Sequence, residues 1–480
     1  MVNSADTGSI LEMDATLLAE KIRNREISSL EATETYIEHL QKINPVLNCL
    51  VEERFEQARS EAQEADRKLQ AGNAAGRLFG VPISMKDSFD VNGMRTTGGL
   101  VHRRDAIQDT DAEVVARLKK EGAIILGKTN TPVLCFYQET DSKLHGRCNN
   151  PWDVNRTPGG SSGGEGALIA AGGAAVGLGS DIGGSIRFPS HFNGVIGFRS
   201  GNRQVSDQGS YPHVGIDLQD RMLGIGALAK SVRDTRLINE IIAFSPPEER
   251  PLEEFSLVIP QKSLRYPIDP DTRLALEAVR SRLQQDFAVE DEQPPHYQQA
   301  ADLWQRIMGI NGAYEYGRIA FNGRPVNPGR EYLKEKLFKS SELHAYFSWV
   351  LFTANMTKPS QRALRQTEQI LAEGDKRVAD YLDRRLLILP VYHTPAPLHG
   401  QVIKEVFSLT FSFRKYLPFV AYVNTWGLPA LIVPVSQNQA GLPIGLQIIS
   451  RVGNEDAIFK LGAILEEGFR GYKRCAIMSD

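Results

Sequence analysis

Serine and lysine can both take part in acyl chemistry, and in this chain they stand in unusual company. Ser161, Ser162, Ser180 and Ser185 all fall within residues 159–185, where 11 of 27 residues are glycine, against 42 in 480 overall. Glycine loses more backbone freedom on folding than any other residue. A stretch this rich in it needs positive φ, close packing, or bare N–H groups facing a ligand. The run Ser180-Asp-Ile-Gly-Gly-Ser185 predicts a tight turn with four successive unpaired amides, those of Ile182, Gly183, Gly184 and Ser185. Successive amides of this kind form a nest that binds anions. A serine closing the nest can attack a carbonyl while the nest holds the oxyanion. Losing one such donor typically costs about 2.7–4 kcal/mol of transition-state stabilisation. The plainer alternative is a Gly-rich turn packing sheet against helix.

A nucleophilic serine needs a base. Of the nine histidines, His191 lies nearest in sequence to Ser185. There is no Gly-x-Ser-x-Gly elbow, and a histidine here reads as a hydrogen-bonded structural residue. Lys86 is the stronger candidate. It ends the apolar run Leu78-Phe-Gly-Val-Pro-Ile-Ser-Met85 and precedes Asp87. Most lysines sit at the surface. One delivered by a buried strand is desolvated, which lowers its pKa and makes a neutral, basic amine available. Ser-Lys arrangements are known substitutes for Ser-His.

The elements that must position these groups are legible in outline. Residues 14–42 carry Leu17, Leu18, Ile22, Leu30, Tyr36, Ile37 and Leu40 at helical spacing, with Ser28 or Ser29 as a cap. Further helices are predicted over 52–70, 111–121, 165–171, 272–284 and 457–466, and over most of 299–385. Strands are predicted at 78–85, 123–126, 174–178, 194–198, 257–260 and 386–390, and as a hairpin within 424–447. Strands alternating with helices, as apolar runs, indicate an α/β sheet covered on both faces by helices.

Residues 122–129 formally fit the phosphate-loop pattern GxxxxGK[ST]. Their interior is Ala-Ile-Ile-Leu, which favours a strand, so a nucleotide-binding enzyme is the weaker reading. The charge balance of 55 basic and 58 acidic residues gives no electrostatic case for nucleic acid. Cys49, Cys135, Cys148 and Cys475 show no metal spacing and fit a reducing compartment. Residues 1–14 do not read as a secretory leader, and no apolar run approaches a membrane span. The expectation is a cytoplasmic enzyme with no metal and no cofactor.

Taken together, Gly159-Gly-Ser-Ser-Gly-Gly164 and Ser180-Asp-Ile-Gly-Gly-Ser-Ile-Arg187 resemble the amidase signature family. Supporting matches run nearly end to end: Gly80-Val-Pro-Ile-Ser-Met-Lys-Asp87, Gly127-Lys-Thr-Asn130, Asn150-Pro-Trp-Asp153, Arg156-Thr-Pro158, Gly427-Leu-Pro-Ala430 and Gly441-Leu-Pro-Ile-Gly445. The resemblance implies a large mixed twisted β-sheet core covered by helices, and a Ser-cisSer-Lys triad. Ser185 would be the nucleophile, Ser161 the bridging serine after a cis peptide, and Lys86 the base. The amides of Ile182, Gly183, Gly184 and Ser185 would form the oxyanion hole, with Ser162, Asp181 and Arg187 in support. Glu165 and the Ser-Ile-Arg187-Phe-Pro-Ser run are closer to the fatty acid amide hydrolase-like branch. Val133 and Ala227 depart from common family residues at positions that bear on the pocket or packing.

The implied organisation is one domain over 1–480. Residues 66–240 form the catalytic core, 245–385 a variable helical pocket and cap region, and 386–480 the strands and helix that complete the core. The implied activity is hydrolysis of a small-molecule amide, acyl, aryl or fatty acid, through an acyl-enzyme, with an esterase side activity left open. Alternatives are the glutaminase subunit of a tRNA-dependent amidotransferase and a catalytically dead binding protein. The apolar residues of 332–356 leave a peripheral membrane contact open beside plain packing on the core, and a homodimer is likewise left open.

Overall fold

The structure, a computed structural model, describes residues 7–261, 268–406 and 412–477. Its centre is one mixed sheet of 11 strands. In chain order these are β1 (Leu50–Glu53), β2 (Pro82–Lys86), β3 (Ile124–Thr129), β4 (Val176–Asp181), β5 (Ile196–Arg199), β6 (Gly224–Ala229), β7 (Ser256–Val258), β8 (Val289–Glu290), β9 (Arg385–Pro390), β10 (Ala430–Gln437) and β11 (Pro443–Ile449). Across the sheet the order is β1-β3-β2-β4-β6-β5-β10-β11-β9-β7-β8. β2 runs parallel to both β3 and β4, and β4 runs antiparallel to β6. β2, β3 and β6 are buried along their whole length, which explains why β2 and β3 read as apolar runs and not as alternating patterns.

The N-terminal helices form as their caps predict. Asp14 accepts from Leu17 N to start Ala15–Arg23, and Ser28 and Glu31 make a capping box at Ser29–Leu47. Their buried faces, with Leu18, Ile22, Tyr36, Ile37 and Leu40, pack into the same apolar cluster as Ile83, Met85 and Ile125. Burial of apolar area contributes roughly 25 cal/mol per Å², so this face anchors the strand that carries Lys86.

Residues 122–129 form the expected strand and not a phosphate loop: β3 runs on through Gly127-Lys-Thr129, and the buried Lys128 Nζ donates to Phe89 O and Arg95 O at 2.6 Å and Thr96 Oγ1 at 2.7 Å. That lysine is fully engaged and offers nothing to a phosphate. Residues 187–193 form a helix, Arg187–Asn193, which Pro189 obscures in the sequence although proline is tolerated in a first turn. Residues 224–229, read as no element, form β6 beside β4. The 245–385 stretch supplies the helices Tyr297–Met308, Pro328–Phe338, Ala345–Met356 and Gln361–Tyr381, and also strand β7 and the edge strand β8.

Candidate active site

β2 and β4 lie side by side, and the Gly163–Ala170 helix is packed over them. Close approach explains much of the local glycine. A Cβ on Gly177 of β4 would overlap Glu165 Oε1, so only glycine lets this helix side chain reach the sheet. Gly184 is held at φ +97, and a Cβ there would meet the Phe188 ring at 2.5 Å.

β2 delivers Lys86 into the interior with no solvent exposure. Its Nζ lies 2.7 Å from Ser161 Oγ, 3.0 Å from Ser180 Oγ and 3.4 Å from Ser180 O. Burial pushes the ammonium below lysine's usual range, outweighing the opposing pull of Cys135, Asp181 and Glu165. The Gly160–Ser161 peptide is cis. Ser161 O accepts from Thr131 Oγ1 at 2.9 Å, which fixes the backbone next to the hydroxyl. Ser162 N donates to Ser185 O at 3.1 Å, tying the two serine-bearing segments together.

Asp181 at the end of β4 organises the turn that presents Ser185. Its carboxylate accepts from Gly184 N at 2.8 Å and Ile186 N at 3.1 Å, and from Arg187 Nε and Nη2, each at 3.0 Å. Asn424 Nδ2 adds a bond at 2.9 Å. Burial works to raise the Asp181 pKa, but the Arg187 and Arg199 guanidiniums and Asn424 outweigh it and hold the carboxyl well below the usual range. Both members of the Asp181–Arg187 pair are fully buried. Such a pair, with its remaining donors and acceptors satisfied, specifies geometry more than it adds stability. The expectation of four unpaired amides needs one correction: the Gly184 amide is paired, since Asp181 already accepts from it. Ile182, Gly183 and Ser185 line a large cavity at this turn.

His191 is structural. It is buried, it accepts from Gly445 N at Nδ1 at 2.8 Å, and its Nε2 lies 3.0 Å from Thr394 O. The Gly445 bond places the proton on Nε2, which donates to Thr394 O. Burial keeps the ring's pKa below its usual value, so it stays neutral.

Three contributors escaped the sequence reading. Ser180 is the second hydroxyl against Lys86 Nζ, and only the pairing of β2 with β4 reveals it. Glu165 is fully buried, with Ser84 Oγ and Thr129 Oγ1 donating to its two carboxyl oxygens, and burial pushes it up to about 7. Trp304, from the Tyr297–Met308 helix, donates Nε1 to Ile182 O at 2.8 Å and lays its ring over Gly183. No local motif marks it.

Two cavities meet at this turn and share Cys135, Phe136, Ile182 and Ser185. The larger, about 1090 Å³, is walled by aromatic side chains including Tyr137, Trp304, Tyr346 and Trp349. The smaller, about 60 Å³, reaches Ser161 and Ser180, and is also lined by Asp207, Gln219 and Asp220.

A buried lysine against serine, at the end of an inner strand of a mixed sheet wrapped in helices, defines an α/β hydrolytic class. Residues 31–459 match the Amidase family, and the chain belongs to it. It is 30% identical over 494 residues to fatty-acid amide hydrolase 2-B of Danio rerio, covering 97% of this chain and 91% of that protein. It is 30% identical over 480 residues to indoleacetamide hydrolase of Bradyrhizobium diazoefficiens, covering 96% and 87%. A glutamyl-tRNA(Gln) amidotransferase subunit of Lachnospira eligens is 30% identical over 498 residues, covering 96% and 98%. Among solved structures, 6-aminohexanoate cyclic dimer hydrolase complexed with substrate superposes with a TM-score of 0.81 at 26% identity, covering 98% of this chain and 100% of that one. The mixed sheet and its helices thus belong to an amidase fold. No helix among the described residues is long and apolar enough to cross a membrane.

Proposed function

We propose that this chain is a serine amidase that cleaves a carboxylic amide to acid and amine or ammonia through an acyl-enzyme at Ser185. The carrying observation is the fully buried Lys86 with its Nζ 2.7 Å from Ser161 Oγ, where Ser161 and Ser185 line one cavity. Neutral Lys86 takes the Ser161 proton while Ser161 takes that of Ser185. The Ser185 oxygen bonds to the carbonyl carbon, and the carbonyl electrons move onto oxygen against the turn at 182–185. Lysinium then returns its proton through Ser161 to the amide nitrogen, and the C–N bond breaks. Protonation is essential because an amine anion is a very poor leaving group. Water attacks the acyl-enzyme by the same relay, which releases the acid and restores Ser185.

A cavity of about 1090 Å³ with aromatic walls suits an aryl or fatty acyl group, in keeping with relatives named for fatty-acid amides and indoleacetamide. Hydrolysis of such amides by the purified chain alone, lost in Ser185→Ala, is the expected result. The glutaminase-subunit reading draws on the amidotransferase relative. It predicts a chain that is inactive until its partner proteins are added.

We also infer a peripheral membrane contact through 332–356. Leu337 and Phe338 are 69% and 74% exposed, Leu333 and Met356 are exposed too, and Lys334, Lys336 and Lys339 stand among them. Apolar groups interleaved with lysines suit a lipid headgroup boundary. Trp349 is not part of that face, since it lines the cavity and packs against Phe352.

A further inference from the structure

The large cavity differs in charge between its two ends. At one end is Ser185, buried, with Ile182, Gly183 and Trp304 beside it. At the other, three exposed lysines line the rim. Lys336 and Lys339 come from the C-terminal end of the helix Pro328–Phe338, and Lys404 from the helix Gln401–Val406. Tyr137, Tyr346 and Trp349 are among the walls between.

These cations are not committed to neighbours. Glu335 is the one acidic residue among the described lining residues, and it is already engaged. Lys143 Nζ lies 2.6 Å from its Oε1, and Ser341 N donates to its Oε2 at 3.2 Å. Lys334, on the same helix, pairs with Glu331 at 3.7 Å. None of Lys336, Lys339 and Lys404 pairs with a carboxylate among the described residues; Lys336 Nζ stands 6.0 Å from the centroid of the Tyr332 ring, which also lines the cavity. The rim is therefore positive in a chain whose net charge is −3.

An acyl chain held at Ser185 extends between the aromatic walls towards this rim. A methyl end gains little there, because the rim is open to water and no apolar area is removed from solvent. A carboxylate end keeps part of its hydration, so it escapes the desolvation cost of a buried charge. It also meets three cations. One exposed ion pair is weak, but three together amount to about tenfold in affinity.

We propose that Lys336, Lys339 and Lys404 form a distal anion subsite, which selects amides whose acyl chain ends in a carboxylate. The substrates are then monoamides of long α,ω-dicarboxylic acids. This rests on the serine amidase reading. No bond forms or breaks at the subsite.

The test compares monoamides of suberic, sebacic and dodecanedioic acids with methyl-ended amides of the same chain lengths, each as the primary amide and as the anilide. It uses full-length protein in lipid-free buffer, a portion of which is first titrated with a fluorophosphonate. For at least one chain length, kcat/KM for the carboxylate-ended amide should exceed that for its methyl-ended partner about fivefold or more. That ratio should shrink as salt rises from about 0.01 M to about 1 M, where the screening length falls from about 30 Å to about 3 Å. In Lys336→Glu combined with Lys339→Glu and Lys404→Glu it should drop below one. All three side chains are exposed, and the ratio is insensitive to the folded fraction of the variant. The proposal is overturned by a wild-type ratio below about fivefold at every chain length, by a ratio that ignores salt or the triple substitution, or by labelled protein that cleaves neither series. Absence of labelling overturns the serine amidase reading itself and takes this one with it.

Discussion

Lys86 Nζ sits 2.7 Å from Ser161 Oγ, in an interior position with no solvent exposure. Burial lowers the pKa of this lysine. A base works only when deprotonated, so the sign is fixed: kcat/KM should rise with pH. The limb should lie below lysine's usual value of about 10.4. Lys86→Met should remove the limb and lower kcat by about 10²–10⁴. A wild-type profile with no rising limb anywhere below pH 10 would contradict the role of Lys86.

Glu165 gives a second pH signature, this time in stability. Burial raises its folded pKa from 4.5 to about 7. Between those values the folded protein keeps a proton that the unfolded chain releases, so stability falls as pH rises through the window. A rise from 4.5 to about 7 corresponds to about 3 kcal/mol. Glu165→Gln should lack this slope, because Ser84 and Thr129 can turn to serve a neutral amide. Urea midpoints at pH 4.5 and pH 7.5 should diverge between the two proteins, and parallel profiles would refute the assignment.

Trp304 tests whether the turn at 182–185 needs support from the middle region. Trp304→Phe keeps a ring over Gly183 but loses the bond to Ile182 O. One such hydrogen bond is worth about 0.5–1.5 kcal/mol. The expected effect is a two- to tenfold fall in kcat with little change in thermal midpoint. An unchanged kcat would show that the turn holds its shape alone.

The 332–356 face makes its own prediction. Wild-type protein should co-sediment with vesicles of phosphatidylcholine and phosphatidylserine. Leu337→Glu combined with Phe338→Glu should reduce binding at least fivefold, since both side chains are exposed and neither supports the core. No binding by the wild type would rule the contact out.

How much of this was legible beforehand follows from chain distance. Lys86, Ser161 and Ser185 each sit in a local motif, and the apolar run before Lys86 announces the buried strand that carries it. The α/β class follows from β2, β3 and β9 reading as continuous apolar segments. The Arg187–Asn193 helix was hidden by Pro189, and β6 by its glycines, since Gly-Ile-Gly-Ala-Leu-Ala shows neither strong periodicity nor β-branched enrichment. Trp304 lies 122 residues past Ile182, whose carbonyl it holds, in a stretch with no motif. Gln219 likewise reaches the small cavity from a segment that nothing local distinguishes. Gly184 illustrates a subtler limit. Its amide looked free because nothing local shows that the Asp181 side chain folds back onto its own turn.

The central claim is that Ser185 is the nucleophile. A fluorophosphonate probe, followed by peptide mapping, tests it most directly. The predicted result is a single adduct on Ser185, absent in Ser185→Ala and much slower to form in Lys86→Met. An adduct on another residue, or labelling that persists in Ser185→Ala, would contradict it.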